Sequence, residues 1–194
     1  MSTLVTGSIA GVILAGGKSS RMGCNKALLK FRGARLIDTI ATCIQNIGAP
    51  VYVSGEIAPY QGIPDVISDR GPLGGIISTV DFLSKQGIQA AIFVPVDMPL
   101  MTTQLLLGIM NCQQFADAVY CLHHPLPLLL NFTPQVTDIL NTLKTNHQHD
   151  ASIRELLTRL TTHIYHPDEK KALTNVNTPN DWQQIQEAFS NDEY

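Results

Sequence analysis

The chain has 194 residues, 44% of them hydrophobic and 15% charged, and a formal net charge of −3. That length suits one well-buried core and is short for two, so a single domain is expected over 1–194, with 1–8 and 190–194 frayed. The apolar content rules against general disorder, and no apolar run nears the roughly 18 residues that span a bilayer. The acidic balance, without a basic stripe or an aromatic platform, argues against nucleic acid as a partner.

In chain order, Met1 to Ser8 lack the basic and then apolar pattern of a leader, which predicts a cytoplasmic protein. Ile9 to Ala15 read as a strand that breaks at Gly16-Gly17. From Ala34 to Ile47 the apolar residues Leu36, Ile37, Ile40, Ala41, Ile44 and Ile47 recur at helical spacing, and Gly48 ends the helix. Val51–Ser54 and Asp65–Ser68 are short β runs set off by Pro50 and Pro64. A glycine-rich turn, Gly71-Pro72-Leu73-Gly74-Gly75, precedes a helix from Ile76 to Lys85, and Ala90–Val96 reads as a strand buried on both faces. A helix then opens at Thr102 or Thr103, and strands at Ala116–Cys121 and Leu126–Asn131 flank His123-His124-Pro125. Thr133-Pro134 starts a further helix with an N-cap and a proline at the first helical position. Ile153–Leu160 is a helix, His163–Tyr165 a strand, and Asn180 or Asp181 to Phe189 a last helix. Alternating strands and helices without a repeat or linker predict an α/β fold with a mostly parallel mixed sheet and helices on both faces.

The chemistry concentrates behind the first strand. Gly16 and Gly17 let backbone N–H groups approach phosphate oxygens, and Lys18, Arg21 and Lys26 follow with no acidic residue among them. Gly16-Gly17 lacks the third glycine of a dinucleotide fingerprint, and no Gly-Lys-Ser/Thr closes a Walker loop. Lys26 and Arg21 are the cations expected on a triphosphate, where positioning and charge stabilisation carry most of a nucleotidyl transfer. Asp97 follows the most hydrophobic strand, where ligands of open α/β sheets collect and where a carboxylate suits Mg²⁺ held against phosphates; the alternative is a loop-capping Asp. Asp69, ahead of the second glycine segment, is a candidate acceptor of nucleotide hydrogen bonds. His147, His149, His163 and His166 read as solvated or capping residues, whereas His124 is placed to face an acceptor pocket. Cys24, Cys43, Cys112 and Cys121 form no Cys-x-x-Cys and read as reduced thiols.

The segment Leu14-Ala15-Gly16-Gly17-x-Ser-x-Arg21-Met22-Gly23-x-x-Lys26 resembles the signature loop of nucleotidyltransferases. Together with Asp69-x-Gly71-Pro72-Leu73-Gly74-Gly75, Val96-Asp97-Met98-Pro99, His124-Pro125-Leu126-Pro127 and Asn175-Val176-Asn177-Thr178-Pro179, it resembles the molybdenum cofactor guanylyltransferase family over nearly the whole chain. The resemblance implies a Rossmann-like nucleotidyltransferase fold, Mg²⁺ as cofactor, GTP and molybdopterin as substrates, and transient contact with molybdenum-insertion proteins and molybdoenzyme chaperones. By position it puts Leu14, Ala15, Gly16 and Gly17 against the nucleotide, Lys26 on its phosphates, Asp69 on GTP, and Asp97 on both GTP and the metal. Asn25 stands where the family usually has Asp, and Ser54 where members often have an asparagine that contacts the guanosine. The alternatives are a cytidylyltransferase or another sugar- or alcohol-phosphate nucleotidyltransferase and, from a different class, a non-catalytic nucleotide or pterin carrier.

Overall fold

The computed structural model describes residues 9–15, 25–65, 71–145 and 152–190. Of the expected frayed ends 1–8 and 190–194, Ser190 is instead the last residue of a helix, and 1–8 and 191–194 lie outside the described residues, as do Gly16, Gly17, Lys18, Arg21, Cys24, Asp69, His147 and His149.

The chain runs β1 (Ile9–Leu14), β2 (Lys30–Phe31), β3 (Ala34–Arg35), α1 (Leu36–Asn46), β4 (Val51–Ser54), β5 (Gln61–Ile63), α2 (Gly71–Ser84) and β6 (Ala90–Pro95). It continues α3 (Thr103–Asn111), β7 (Ala118–Cys121), β8 (His124–Asn131), α4 (Pro134–Thr145), α5 (Ile153–Thr158), β9 (Thr162–Tyr165) and α6 (Pro179–Ser190). Seven strands form one sheet in the order β5-β4-β1-β6-β8-β7-β9, and β2 and β3 form a separate hairpin. Within the large sheet only β8 runs against the rest.

Alternation along the central strands divides the core. Ile13, Ile92 and Val94 face one layer, built with Leu36, Ile40 and Ile44 of α1, Leu105 and Ile109 of α3 and Ile185 of α6. Val12, Leu14 and Phe93 face the other, with Leu73, Ile76 and Val80 of α2, Leu140 of α4 and Leu156 of α5. Both faces of β1 and β6 are buried, which is why these strands read as continuous apolar runs rather than alternating ones. Gly11 permits the close seating of α1, since a Cβ there would meet Ile44 Cγ2 at 2.1 Å.

Besides shifts of one or two residues at several ends, such as β7 opening at Ala118 rather than Ala116 and α5 closing at Thr158 rather than Leu160, the elements differ from the sequence reading as follows. Ala34 and Arg35 belong to a hairpin strand, not to α1; Arg32 and Gly33 turn that hairpin with φ of 51° and 79°, and Gly33 was the local signal for it. A strand that was not expected forms at Gln61–Ile63 before Pro64; of the strand expected at Asp65–Ser68, Asp65 carries no strand structure and 66–68 lie outside the described residues. Gly71-Pro72-Leu73-Gly74-Gly75 is the start of α2 rather than a turn, because a proline in the first helical turn loses no intrahelical bond and Gly74 and Gly75 are buried against the sheet. β8 begins at His124, two residues before the expected start.

Candidate functional site

β1 and β6 are adjacent and parallel, and the chain leaves them toward opposite edges of the sheet, to β4 from one and to β7 and β8 from the other. Such a divergence leaves a crevice at the carboxyl ends of the two strands. Pro125 and Pro127 have no N–H to donate, and the β6–β8 ladder stops at Phe93 and Leu128.

Asp97 and Lys26 meet at this crevice across 71 positions of sequence, with Lys26 Nζ donating to Asp97 Oδ2 at 3.3 Å. The same ammonium donates to Asn177 Oδ1 at 3.0 Å. The side chains of Lys26 and Asp97 are 16% and 21% exposed, so the pair is shielded yet open to a ligand. Each partner is held from behind. Asn25 Oδ1 accepts from the Ala27 N–H at 3.0 Å, capping the short 3₁₀ turn Lys26–Leu28, so the residue in the family's Asp position acts here through its oxygen rather than a charge. The Val176 N–H donates to the Asp97 carbonyl at 2.9 Å, pinning the Asn177 loop to the end of β6.

Asp181 fixes that loop from the other direction. Its Oδ2 accepts from the N–H groups of Asn177 and Thr178, each at 2.9 Å, while the Asp181 N–H donates to Thr178 Oγ1 at 3.1 Å. This is a reciprocal cap at the start of α6. The bonds from the Asn177 and Thr178 backbone hold the Asp181 carboxyl below its usual range. The sequence placed Asn177 in the Asn175–Pro179 motif and Asp181 at a helix start but assigned neither a role; Thr178-x-x-Asp181 was the available signal for the cap.

Leu14 and Ser54 close the opposite flank of the crevice, both buried. A Cβ on Gly75 would lie 2.5 Å from Ser54 Oγ and 3.5 Å from Leu14 Cδ2, so this glycine lets α2 close on the ends of β4 and β1. Ala15 is half-buried at the exit of β1. Of the expected site residues, Leu14, Ala15, Lys26, Ser54 and Asp97 therefore share one end of the sheet. Among the described residues no three His, Cys, Asp or Glu side chains are grouped to hold a metal. A single carboxylate beside a phosphate site nevertheless suits Mg²⁺, which keeps several waters and takes one or two carboxylates with substrate phosphates. The thiols fit structural roles: Cys43 Sγ donates to the Met101 carbonyl at 3.4 Å, and burial pushes the Cys121 thiol up to about 11.

Residues 11–164 match the family model of the MobA-like NTP transferase domain. A molybdenum cofactor guanylyltransferase of Xanthomonas euvesicatoria pv. vesicatoria is 35% identical over 90% of this chain and 93% of its own. A probable molybdenum cofactor guanylyltransferase of Pelotomaculum thermopropionicum is 28% identical over 88% of each chain. The fold is also that of molybdopterin-guanine dinucleotide biosynthesis protein A from Archaeoglobus fulgidus, with TM-score 0.72 and 20% identity over 94% of this chain and 99% of that one. A 2-C-methyl-D-erythritol 4-phosphate cytidylyltransferase from Thermus thermophilus superposes with TM-score 0.68 at 12% identity, over 93% of this chain and 98% of that one. With a cation and a carboxylate joined at the ends of β1 and β6 and a full-length relative of this identity, the chain belongs to the MobA-like NTP transferase family, among the molybdenum cofactor guanylyltransferases.

Proposed function

We propose that this protein transfers GMP from GTP onto the terminal phosphate of molybdenum-bearing molybdopterin, giving the guanine dinucleotide form of the cofactor and pyrophosphate. An oxygen of the acceptor phosphate bonds to the α-phosphorus of GTP while the bond from that phosphorus to the bridging oxygen breaks, and pyrophosphate carries that electron pair away. The observation that carries this reading is the Lys26–Asp97 pair with Asn177, at the end of the sheet where Leu14 and Ser54 also lie.

Enzymes of this kind generally need a divalent metal. Mg²⁺ is the ion proposed here, held by Asp97, where it would offset charge on the phosphates. Lys26, already positioned by Asn177, places a further positive charge on the triphosphate, and fixed charges in a partly shielded site stabilise the transition state without reorganising. Arg21, Gly16 and Gly17 are proposed to cradle the phosphates, and Leu14, Ala15, Ser54 and Asp69 to contact the nucleoside. The protein is proposed to act as one domain in the cytoplasm.

The test is pyrophosphate release from GTP, Mg²⁺ and molybdenum-loaded molybdopterin. Release with GTP and little with CTP or ATP is expected. Release with CTP alone moves the protein to the cytidylyltransferases, and nucleotide binding without turnover makes it a carrier.

A further inference from the structure

The mixed half of the sheet carries an irregularity at the same end as Asp97. β7 and β8 pair Tyr120 with Leu128 and then Cys121 with His124, leaving Pro125, Leu126 and Pro127 without a counterpart on β7. The turn between these strands holds His123 at φ 67°, a conformation uncommon outside glycine. Bulges of this kind re-aim side chains and cluster beside active sites. Here the bulge stands beside an open cavity of about 520 Å³ lined by Tyr120, His123, His124, Pro125, Arg154 and Thr158 among others, with no carboxylate in its lining. Arg154 is exposed on α5, and the described residues give it no acidic partner.

The position matches the chemistry. Neighbouring strands lie about 4.8 Å apart, so β8 and β7 are one and two spacings, roughly 5 to 10 Å, from β6, the strand that Asp97 follows by two residues. Ser54, on the proposed nucleotide side, lies two strands away in the opposite direction. Asp97 thus stands between a nucleotide flank and a cavity whose ionisable side chains are two histidines, a tyrosine and an arginine.

We propose that this cavity seats the acceptor, with Arg154 and His124 receiving an oxyanionic group of it. The inference rests on the guanylyltransferase reading. An acceptor with a phosphate monoester at one end and an oxo-molybdenum dithiolene at the other offers two such groups, and both call for Arg and His donors.

The experiment saturates the protein with a non-hydrolysable GTP analogue and Mg²⁺ and titrates molybdopterin, with and without molybdenum, by its fluorescence. Arg154→Gln is expected to weaken binding at least tenfold, Arg154→Lys much less, and His124→Gln severalfold, with affinity for the GTP analogue unchanged in all three. Weakening of both forms assigns the phosphate to the seat; weakening of the metal-loaded form alone assigns the oxo-molybdenum end. Wild-type acceptor affinity in both Arg154→Gln and His124→Gln overturns the proposal, and Arg154→Gln keeps it open to refutation if His124→Gln melts early. A wild-type protein that binds the pterin but turns over CTP supports the seat while ending the guanylyltransferase reading; one that binds no pterin ends both.

Discussion

Lys26 is shared between a carboxylate and an amide oxygen, and this sharing separates charge from geometry. If Asp97 holds the metal, Asp97→Asn keeps the shape and removes the charge that a hard dication requires. Turnover is expected to fall by about 10² or more, the scale of losing one preorganised electrostatic group. Affinity for GTP without Mg²⁺ should hold or rise, because one negative charge no longer faces the phosphates and Lys26 retains Asn177. Melting temperature and the Mg²⁺ titration of activity on the same variant decide the matter: early melting with an unaltered Mg²⁺ response would make Asp97 a structural cap. Lys26 and Asp97 were legible because each follows an apolar β run at a loop whose composition advertises phosphate. Asn177 stood in a recognised motif, but its bond to Lys26 was not legible, since it spans 151 positions and leaves no local trace.

At the level of elements, the helices and central strands were readable from spacing alone. α3 opens where Thr102 Oγ1 accepts from the Leu105 N–H at 3.2 Å, and α4 where Thr133 Oγ1 accepts from the Val136 N–H at 3.2 Å. One misread segment was a place where glycine acts by lacking a side chain, not by bending the chain. Gly74 and Gly75 signal a turn by type, yet tertiary packing uses them inside α2 to bring the helix onto Ser54 and Leu14. Gly11 does the same for α1. Gly11→Ala forces a methyl into Ile44, and overpacking of this kind typically costs about 1–3 kcal/mol. A urea midpoint lowered accordingly, with turnover retained at low temperature, is the expected result; an unchanged midpoint would mean that α1 shifts without cost.

For the molecule as a whole, the order β5-β4-β1-β6-β8-β7-β9 puts a parallel half beside a half interrupted by β8, and the crevice ends fall at their junction. Alternation of strands and helices gave the layers, but strand order depends on pairings between distant segments, which periodicity does not encode. Ligand linkage tests the junction directly. A nucleotide at 100 times its dissociation constant stabilises the folded state by about 2.7 kcal/mol. For a chain of this size that is a rise in Tm of roughly 5 to 10 °C. GTP with Mg²⁺ is expected to give that shift at concentrations where CTP and ATP give little; equal shifts for all three would mean that the base is not read.

The bond from Lys26 to Asn177 also has a meaning in time. Translation proceeds at about 5–20 residues per second, so the loop that carries Lys26 waits roughly 8 to 30 s before its partner 151 positions later has been synthesised. The central strand β1 and its first neighbours exist long before the segment that clasps the lysine. A nascent chain therefore has the Lys26 turn without its latch, and a ribosome that stalls between β9 and α6 leaves a sheet whose Lys26 has Asp97 but no Asn177.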